Sequence, residues 1–518
     1  MQSSPVKNYR ANFLRTLRLE VGAAGVFYLP GKAREILYLG SGAPIMRTNA
    51  QSPHRKLRTA ERRAGMKNDF STGKVSSRII SQAAPLMLAQ LVHLLYNVVD
   101  RVYIGHMAAG EMALTGIGLA FPLTSLTGAF INLFSTGGAP LFAIARGAND
   151  EERASRLQTQ VMFLLLSAGI VITALEFAFL KPILYLFGAG PESYPFAREY
   201  AQIYIWGTVF SMLATGLNSF INAQGYPVMG MMTITLGAVL NLVLDPLFIF
   251  VFDMGIRGAA IATVLSQIAS AVWVMAFLFG KKNLYPIRRQ YFRPDFSLVR
   301  EILPLGFAGF IMQGTNSLNQ AVCNNMLGIY GGDLYVGIMT VIDSVREIMQ
   351  LPNSSITSGS QPVIGYNLGA RKYSRVRAGI RFMTLATFLY TATAWAAVLL
   401  FPRFFMGIFT DSTEMIGPGV AALRLYFAGF VFMTFQSAGQ STFTGLKCPK
   451  RAIFFSLFRK VVIVVPLTIL LPRLGLGVRG VFLAEPISNL IGGLACYSTM
   501  WFTLYRKLPK QDDCPAKI

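Results

Sequence analysis

Apolar positions in this chain come in long unbroken runs. Residues 161–180 (VMFLLLSAGIVITALEFAFL) carry one charge, Glu176, and residues 259–280 (AAIATVLSQIASAVWVMAFLFG) carry none. A hydrocarbon layer of about 30 Å takes roughly 20 such residues in helical form. Only helices and closed barrels satisfy every backbone group in lipid, and barrel strands alternate apolar and polar positions, which these runs do not. The pattern predicts spanning helices over 79–104, 112–144, 157–181, 197–222, 229–252, 256–280, 301–328, 333–364, 378–401, 417–443, 452–472 and 478–505. The expected fold class is all-α integral membrane, with twelve transmembrane helices.

The two halves of the pattern match at a constant offset of 222 residues. STGGAPLFAIARGA (135–148) lies against TSGSQPVIGYNLGA (357–370), Pro227 against Pro449, and GIRG (255–258) against GVRG (477–480). Pro85 and Pro304 match at 219. Six helices per copy is an even number, so both copies enter the membrane in the same direction, as in parallel-repeat transporters. The sequence therefore divides into an N-lobe (66–281), a basic cytoplasmic linker (282–300) and a C-lobe (301–518), arranged around a central cavity.

Composition agrees. Of 518 residues 53% are hydrophobic and 14% charged, against about 25% charged in soluble domains. The formal charge of +23 is a matter of topology rather than a nucleic-acid face. One set of alternate loops carries 24 Lys/Arg and the opposite set about 6, which places both termini in the cytoplasm of a multi-pass cell-membrane protein. Residues 1–65, with 12 Lys/Arg against 3 Asp/Glu, read as a disordered tail or a start assigned too far upstream of Met66. An organelle transit peptide is the lesser alternative. The four cysteines and three histidines show no metal or disulfide spacing.

Ionisable residues inside spanning helices are costly and point to function. Asp100 lies late in the first helix. Asn241 and Asp245, one turn apart, share a face of the fifth, with Pro246 disturbing the ladder beyond them. Thr263 lies early in the sixth. The topology brings all four to similar depth in the outer half of the N-lobe. Oxygen ligands suit a hard cation such as Na⁺, and two adjacent carboxylates suit a shared proton equally. At the repeat offset the C-lobe offers Ile463, Leu467 and Glu485 instead, so the cluster is not a requirement of the repeat. In the eighth helix Asp343 and Arg346 can pair at i,i+3, beside Glu347. Together they read either as an internal salt bridge or as a cavity wall for a cationic substrate. Glu485 is open in the same way. Glu176 is expected to reach the outer interface, and Arg459 and Lys460 to snorkel toward the cytoplasm. Pro85 shares a helix with Asp100 and is a candidate bend there.

Taken together, the first helix from Pro85 to Asp100, NLVLDPLF, Thr263, the GIRG/GVRG turns and SGSQPVIGYNLGARKYSRVR (358–377) resemble the multidrug and toxic compound extrusion (MATE) family, particularly its bacterial multidrug-export branches, over about residues 70–506. The resemblance implies an antiporter that expels organic cations or amphipathic drugs against Na⁺ or H⁺ by rocking of two lobes. It also implies a cation site at Asp100, Asn241, Asp245 and Thr263. One departure is that the stretch after Pro304 supplies Gln313, Asn316 and Asn319 but no carboxylate. Asp343, Arg346, Glu347, Gln313 and Glu485 are the candidate substrate-cavity residues. No cofactor, no enzymatic constellation and no nucleic-acid partner is expected, and the protein is expected to work as a monomer in the bilayer. The alternative function is a lipid-linked saccharide flippase of the same superfamily.

Overall fold

Helices dominate because the apolar runs can satisfy their backbones in no other way in lipid. The computed structural model describes residues 20–21, 27–28, 69–105, 110–187, 189–410, 412–509 and 511–512. Of the basic segment 1–65, only a two-residue antiparallel pair, Glu20–Val21 with Phe27–Tyr28, is described. The expectations for the rest of that segment lie outside the described residues.

The N-lobe comprises α1 (Val75–Gly105), α2 (Gly110–Gly147), α3 (Glu151–Leu186), α4 (Tyr194–Ala223), α5 (Pro227–Pro246, continued by a π-helical turn Leu247–Val251) and α6 (Gly255–Phe279). The next 74 helical residues, Phe296–Gly369, break at Gly332 (φ 67°, ψ −169°) into α7 (296–331) and α8 (333–369). There follow α9 (Tyr373–Leu400) and α10, which runs through Thr413–Phe427, a 3₁₀ turn and Met433–Gly445. Next is α11, in which Pro449–Leu457 and Val465–Leu471 flank a π-helical stretch, and last is α12 (Gly477–Thr503). Twelve spanning helices result among the described residues. Several start earlier than their apolar runs because polar caps extend them. Asp150 caps α3 by accepting from the Arg153 amide at 3.0 Å, and Asp295 caps α7 from the Ser297 amide at 3.0 Å.

The repeat recurs in the backbone. Positive φ occurs at Asn149 and Arg371, at Gly225 and Lys447, at Asp253 and Gly475, and at Gly255 and Gly477, four pairs that each keep the 222-residue offset. The turns between helices are thus copies, whatever residue occupies them.

Where the halves meet, backbone touches backbone. A Cβ on Gly147 would stand 1.8 Å from the Tyr366 carbonyl oxygen, and one on Gly369 would stand 1.9 Å from that of Ile144. Only glycine allows such approach. Ile144 and Tyr366 are themselves repeat mates. Gly137 against Ile302, and Gly359 against Ala83, repeat the crossing further along. All these contacts lie toward the ends of α2 and α8 that lead into the Lys/Arg-rich loops, so the lobes are closed at the basic end. There Leu298, Ile302 and Leu305 of α7 share a core with Leu133, Phe142 and Phe220 of the N-lobe. Glu301 of α7 takes both Arg153 of α3, at 2.8 and 3.0 Å, and Lys447 of the turn before α11.

The lead into α1 reinforces this closure. Asn367 donates to the Phe70 carbonyl at 3.1 Å, Arg375 donates to the carbonyls of Phe70, Thr72 and Gly73, and Lys372 donates to that of Ser71. Buried Arg146 of α2 lies 4.9 Å from the Phe70 ring centroid and 5.0 Å from that of Tyr366.

The exterior is apolar. Leu95, Ile170, Phe179, Trp206, Val243 and Phe404 are all more than half exposed, as lipid-facing positions are and as a water-soluble surface is not. The chain is a multi-pass membrane protein.

Candidate cation site in the N-lobe

Helix spacing puts Asn241 directly before Asp245 on one face of α5. The Asn241 amide donates to Asp245 Oδ1 at 3.0 Å, and the two side chains are 3% and 1% exposed. Pro246 closes the regular α-helix at this point, and the chain continues as a π-helical turn, a local irregularity often found at functional sites. Asp100 of α1 lies beside Asp245, close enough for the two carboxyl groups to act on each other. Two carboxyl groups so placed favour the uptake of a proton or a cation between them.

Thr263 of α6 donates to the Ala259 carbonyl at 2.9 Å and lies beside Tyr200 of α4. Tyr200 and Tyr204 are buried and stack with ring centroids 5.8 Å apart and planes at 17°. Tyr204 lies beside Gln267, one turn after Thr263, and Tyr96, one turn before Asp100, faces the same carboxylates. The structure therefore brings Asp100, Asn241 and Asp245 together, with Thr263 beside Tyr200 in an aromatic surround that sequence reading missed. The spacing of Tyr96 to Asp100, Tyr200 to Tyr204 and Thr263 to Gln267, each one turn, was the available signal.

Glu176 differs from expectation. It does not reach the interface: it is 1% exposed and accepts from Thr208 Oγ1 at 3.1 Å. The α3–α4 interface supplies that partner, which a single-helix view of α3 does not contain.

The C-lobe residues fall into two groups. Asp343 and Arg346 pair at 3.1 Å, and Gln320 of α7 donates to Asp343 at 2.5 Å. Glu347 and Gln313 are exposed. Glu485 is 5% exposed and accepts from Arg459 at 3.0 Å and from Lys460 at 3.3 Å. Arg459 also donates to Asn489 at 2.5 Å. The expectation that Arg459 and Lys460 snorkel toward the cytoplasm is therefore overturned. Lys460 is only 4% exposed, because an internal carboxylate within reach of its long stem competes with the membrane surface. Pro85 lies inside continuous α1, two residues beyond the contact of Ala83 with Gly359.

A family model described as MatE matches this chain twice, at residues 85–247 and 309–470. The chain belongs to the MatE family. The two matched segments begin and end within two residues of the 222-residue repeat offset, so each lobe is one copy of the MatE unit, and the sequence resemblance is borne out. Among similar proteins, the multidrug export protein MepA of Staphylococcus saprophyticus is 23% identical over 438 residues, 83% of this chain and 95% of that protein. MepA of Staphylococcus aureus is 23% identical over 379 residues, 72% of this chain and 83% of that protein. The fold is similar to that of a MOP superfamily transporter from Pyrococcus furiosus, with a TM-score of 0.79 and 24% identity over 85% of this chain and 98% of that one.

Proposed function

We propose that this MatE-family chain is a secondary active multidrug exporter of the cell membrane, antiporting organic cations or amphipathic drugs against Na⁺ or H⁺. The observation that carries the reading is the buried contact of Asp100 with Asp245, braced by Asn241. Such a group costs stability in lipid unless it takes up a cation. The names of the MepA relatives, multidrug export proteins, support the substrate class.

The lobes meet at the basic end. With that end in the cytoplasm, as the Lys/Arg distribution supports, this state is closed inward, and the cation site lies toward the open side. In this reading, cation uptake at Asp100 and Asp245 biases α1, which runs from the lobe contact at Ala83 past Pro85 to the site. The lobes then rock between two states that share one substrate path, and the ion is released on the opposite side. Gln313 of α7 and Glu347 of α8, both exposed, together with the Asp343–Arg346 pair, are the candidates to face the substrate.

The test is export of a fluorescent organic cation from vesicles under an imposed Na⁺ gradient and, separately, an imposed H⁺ gradient. One of the two should drive export in the wild type. Asp100→Asn and Asp245→Asn should each abolish it while still inserting in the membrane. Normal driven export by either variant would sink the assignment.

A further inference from the structure

We infer that the C-lobe carries the counterpart of the cation site already filled by the protein's own cations, so that only the N-lobe exchanges an ion. The inference rests on the proposed role of the N-lobe site in cation exchange.

The repeat offset superposes the two places residue by residue. Tyr204 corresponds to Tyr426, Thr263 to Glu485, and Gln267 to Asn489; at the 219-residue offset of the first helices, Asp100 corresponds to Asn319. Asn319, Tyr426 and Glu485 line one cavity in the C-lobe, of about 10 Å³, together with Gln320, Arg346 and Thr468. That volume holds about one water molecule. The C-lobe thus keeps one tyrosine of the aromatic wall, Tyr426, while Thr315 and Ala422 stand at the positions of Tyr96 and Tyr200, and its charges are inverted. Where the N-lobe has Asp100 and Asp245, the C-lobe has one carboxylate from α12, Glu485, held by Arg459 and Lys460 of α11. Arg346 lines the same cavity and is paired with Asp343.

Three cationic side chains therefore face two carboxylates in a buried site. An incoming Na⁺ or proton would find Glu485 held by two cations and a third positive charge, Arg346, beside it. Coulomb repulsion is little screened in a medium of low dielectric. Lys460 and Arg459 act as tethered ions that cannot be released. They are positioning residues, and the coupling stoichiometry is set by the N-lobe alone.

Cation uptake by the purified full-length protein tests this, with radiolabelled Na⁺ and, separately, proton uptake on an acid pulse as the two probes. Asp245→Asn should remove the ion bound by the wild type; if it does not, the N-lobe reading fails, whatever the C-lobe variants do. Adding Arg459→Met and Lys460→Met to Asp245→Asn leaves Arg346 facing two carboxylates, and one cation per protein should be regained. A further Glu485→Gln should remove it again. No regain, or a regain that survives Glu485→Gln, overturns the inference. Because the double Met variant strips partners from a buried carboxylate, a milder pair serves beside it. Lys460→Met with Glu485→Gln, in an otherwise wild-type chain, should bind as many ions as the wild type. Loss of one ion there would show that Glu485 is itself an exchanging site and would overturn the inference even if the double Met variant fails to fold.

Discussion

The Tyr366 hydroxyl donates across 3.1 Å to Asp69 Oδ1, tying the lead before α1 to the basic end of α8. Burial pushes the Asp69 carboxyl up, but hydrogen bonds from Ser71 and Tyr366 and the nearby Arg146 charge outweigh it and hold the group below its ordinary value of 3.8. A depressed carboxylate contributes stability that is fully present above the ordinary value and is lost as pH falls through the depressed one. Closure at the basic end should therefore be insensitive to pH near neutrality and weaken only in strong acid. Arg375→Ala, which removes donors to three carbonyls of the lead, should weaken it at any pH. Spin-label distances between the 145–156 and 365–381 loops should lengthen in Arg375→Ala at pH 7, and in the wild type only under strong acid.

Gly147→Val should prevent closure. Its Cβ would overlap the Tyr366 carbonyl, and backbone cannot move aside as a side chain can. The variant should populate the state open at the basic end, read as thiol labelling of a cysteine placed on α2 near Ile144. Labelling as slow as in an otherwise wild-type background would show that the contact is not limiting.

Asn241→Ala should lower affinity for the coupling ion by about tenfold, the worth of one buried hydrogen bond to a charged partner. The fold should persist, because the hydrogen bond lost is the one to Asp245. Ion titration of driven export would read the shift. An unchanged half-saturation would mean that Asn241 braces the helix and not the site.

Arg371→Gly should leave the protein as stable or raise its melting temperature. Arg371 holds φ 56°, a region that costs a non-glycine residue about 1 kcal/mol. Thermal unfolding in detergent measures it. A fall in melting temperature would mean that the Arg371 side chain contributes more than its backbone conformation costs.

How much of this was legible in the sequence depends on how far each inference had to reach. The helices were legible because lipid leaves a long apolar run one choice, and the break at Gly332 fell between two runs already separated. Asp100, Asn241, Asp245 and Thr263 were legible because a carboxylate in a spanning helix has few neighbours to choose from, and depth follows from direction. The fates of Arg459, Lys460 and Glu176 were not. A long side chain can extend either way along its helix, and the direction is set by a partner on another element, Glu485 for the two cations and Thr208 for Glu176. The tyrosines were hidden by their own frequency, since aromatic residues also populate membrane interfaces.

The crossed glycines have a consequence for the molecule as a whole. Gly147 meets the residue that is the repeat mate of the one Gly369 meets, and Gly137 and Gly359 do the same one step along. A surface that touches its own copy in this reciprocal way is an isologous interface, the kind that joins the subunits of a two-fold dimer. Here it lies within one chain. The closed end is built from two equal half-contacts, each spoiled by a change in a different lobe, while the ion chemistry has been free to diverge between the same two halves.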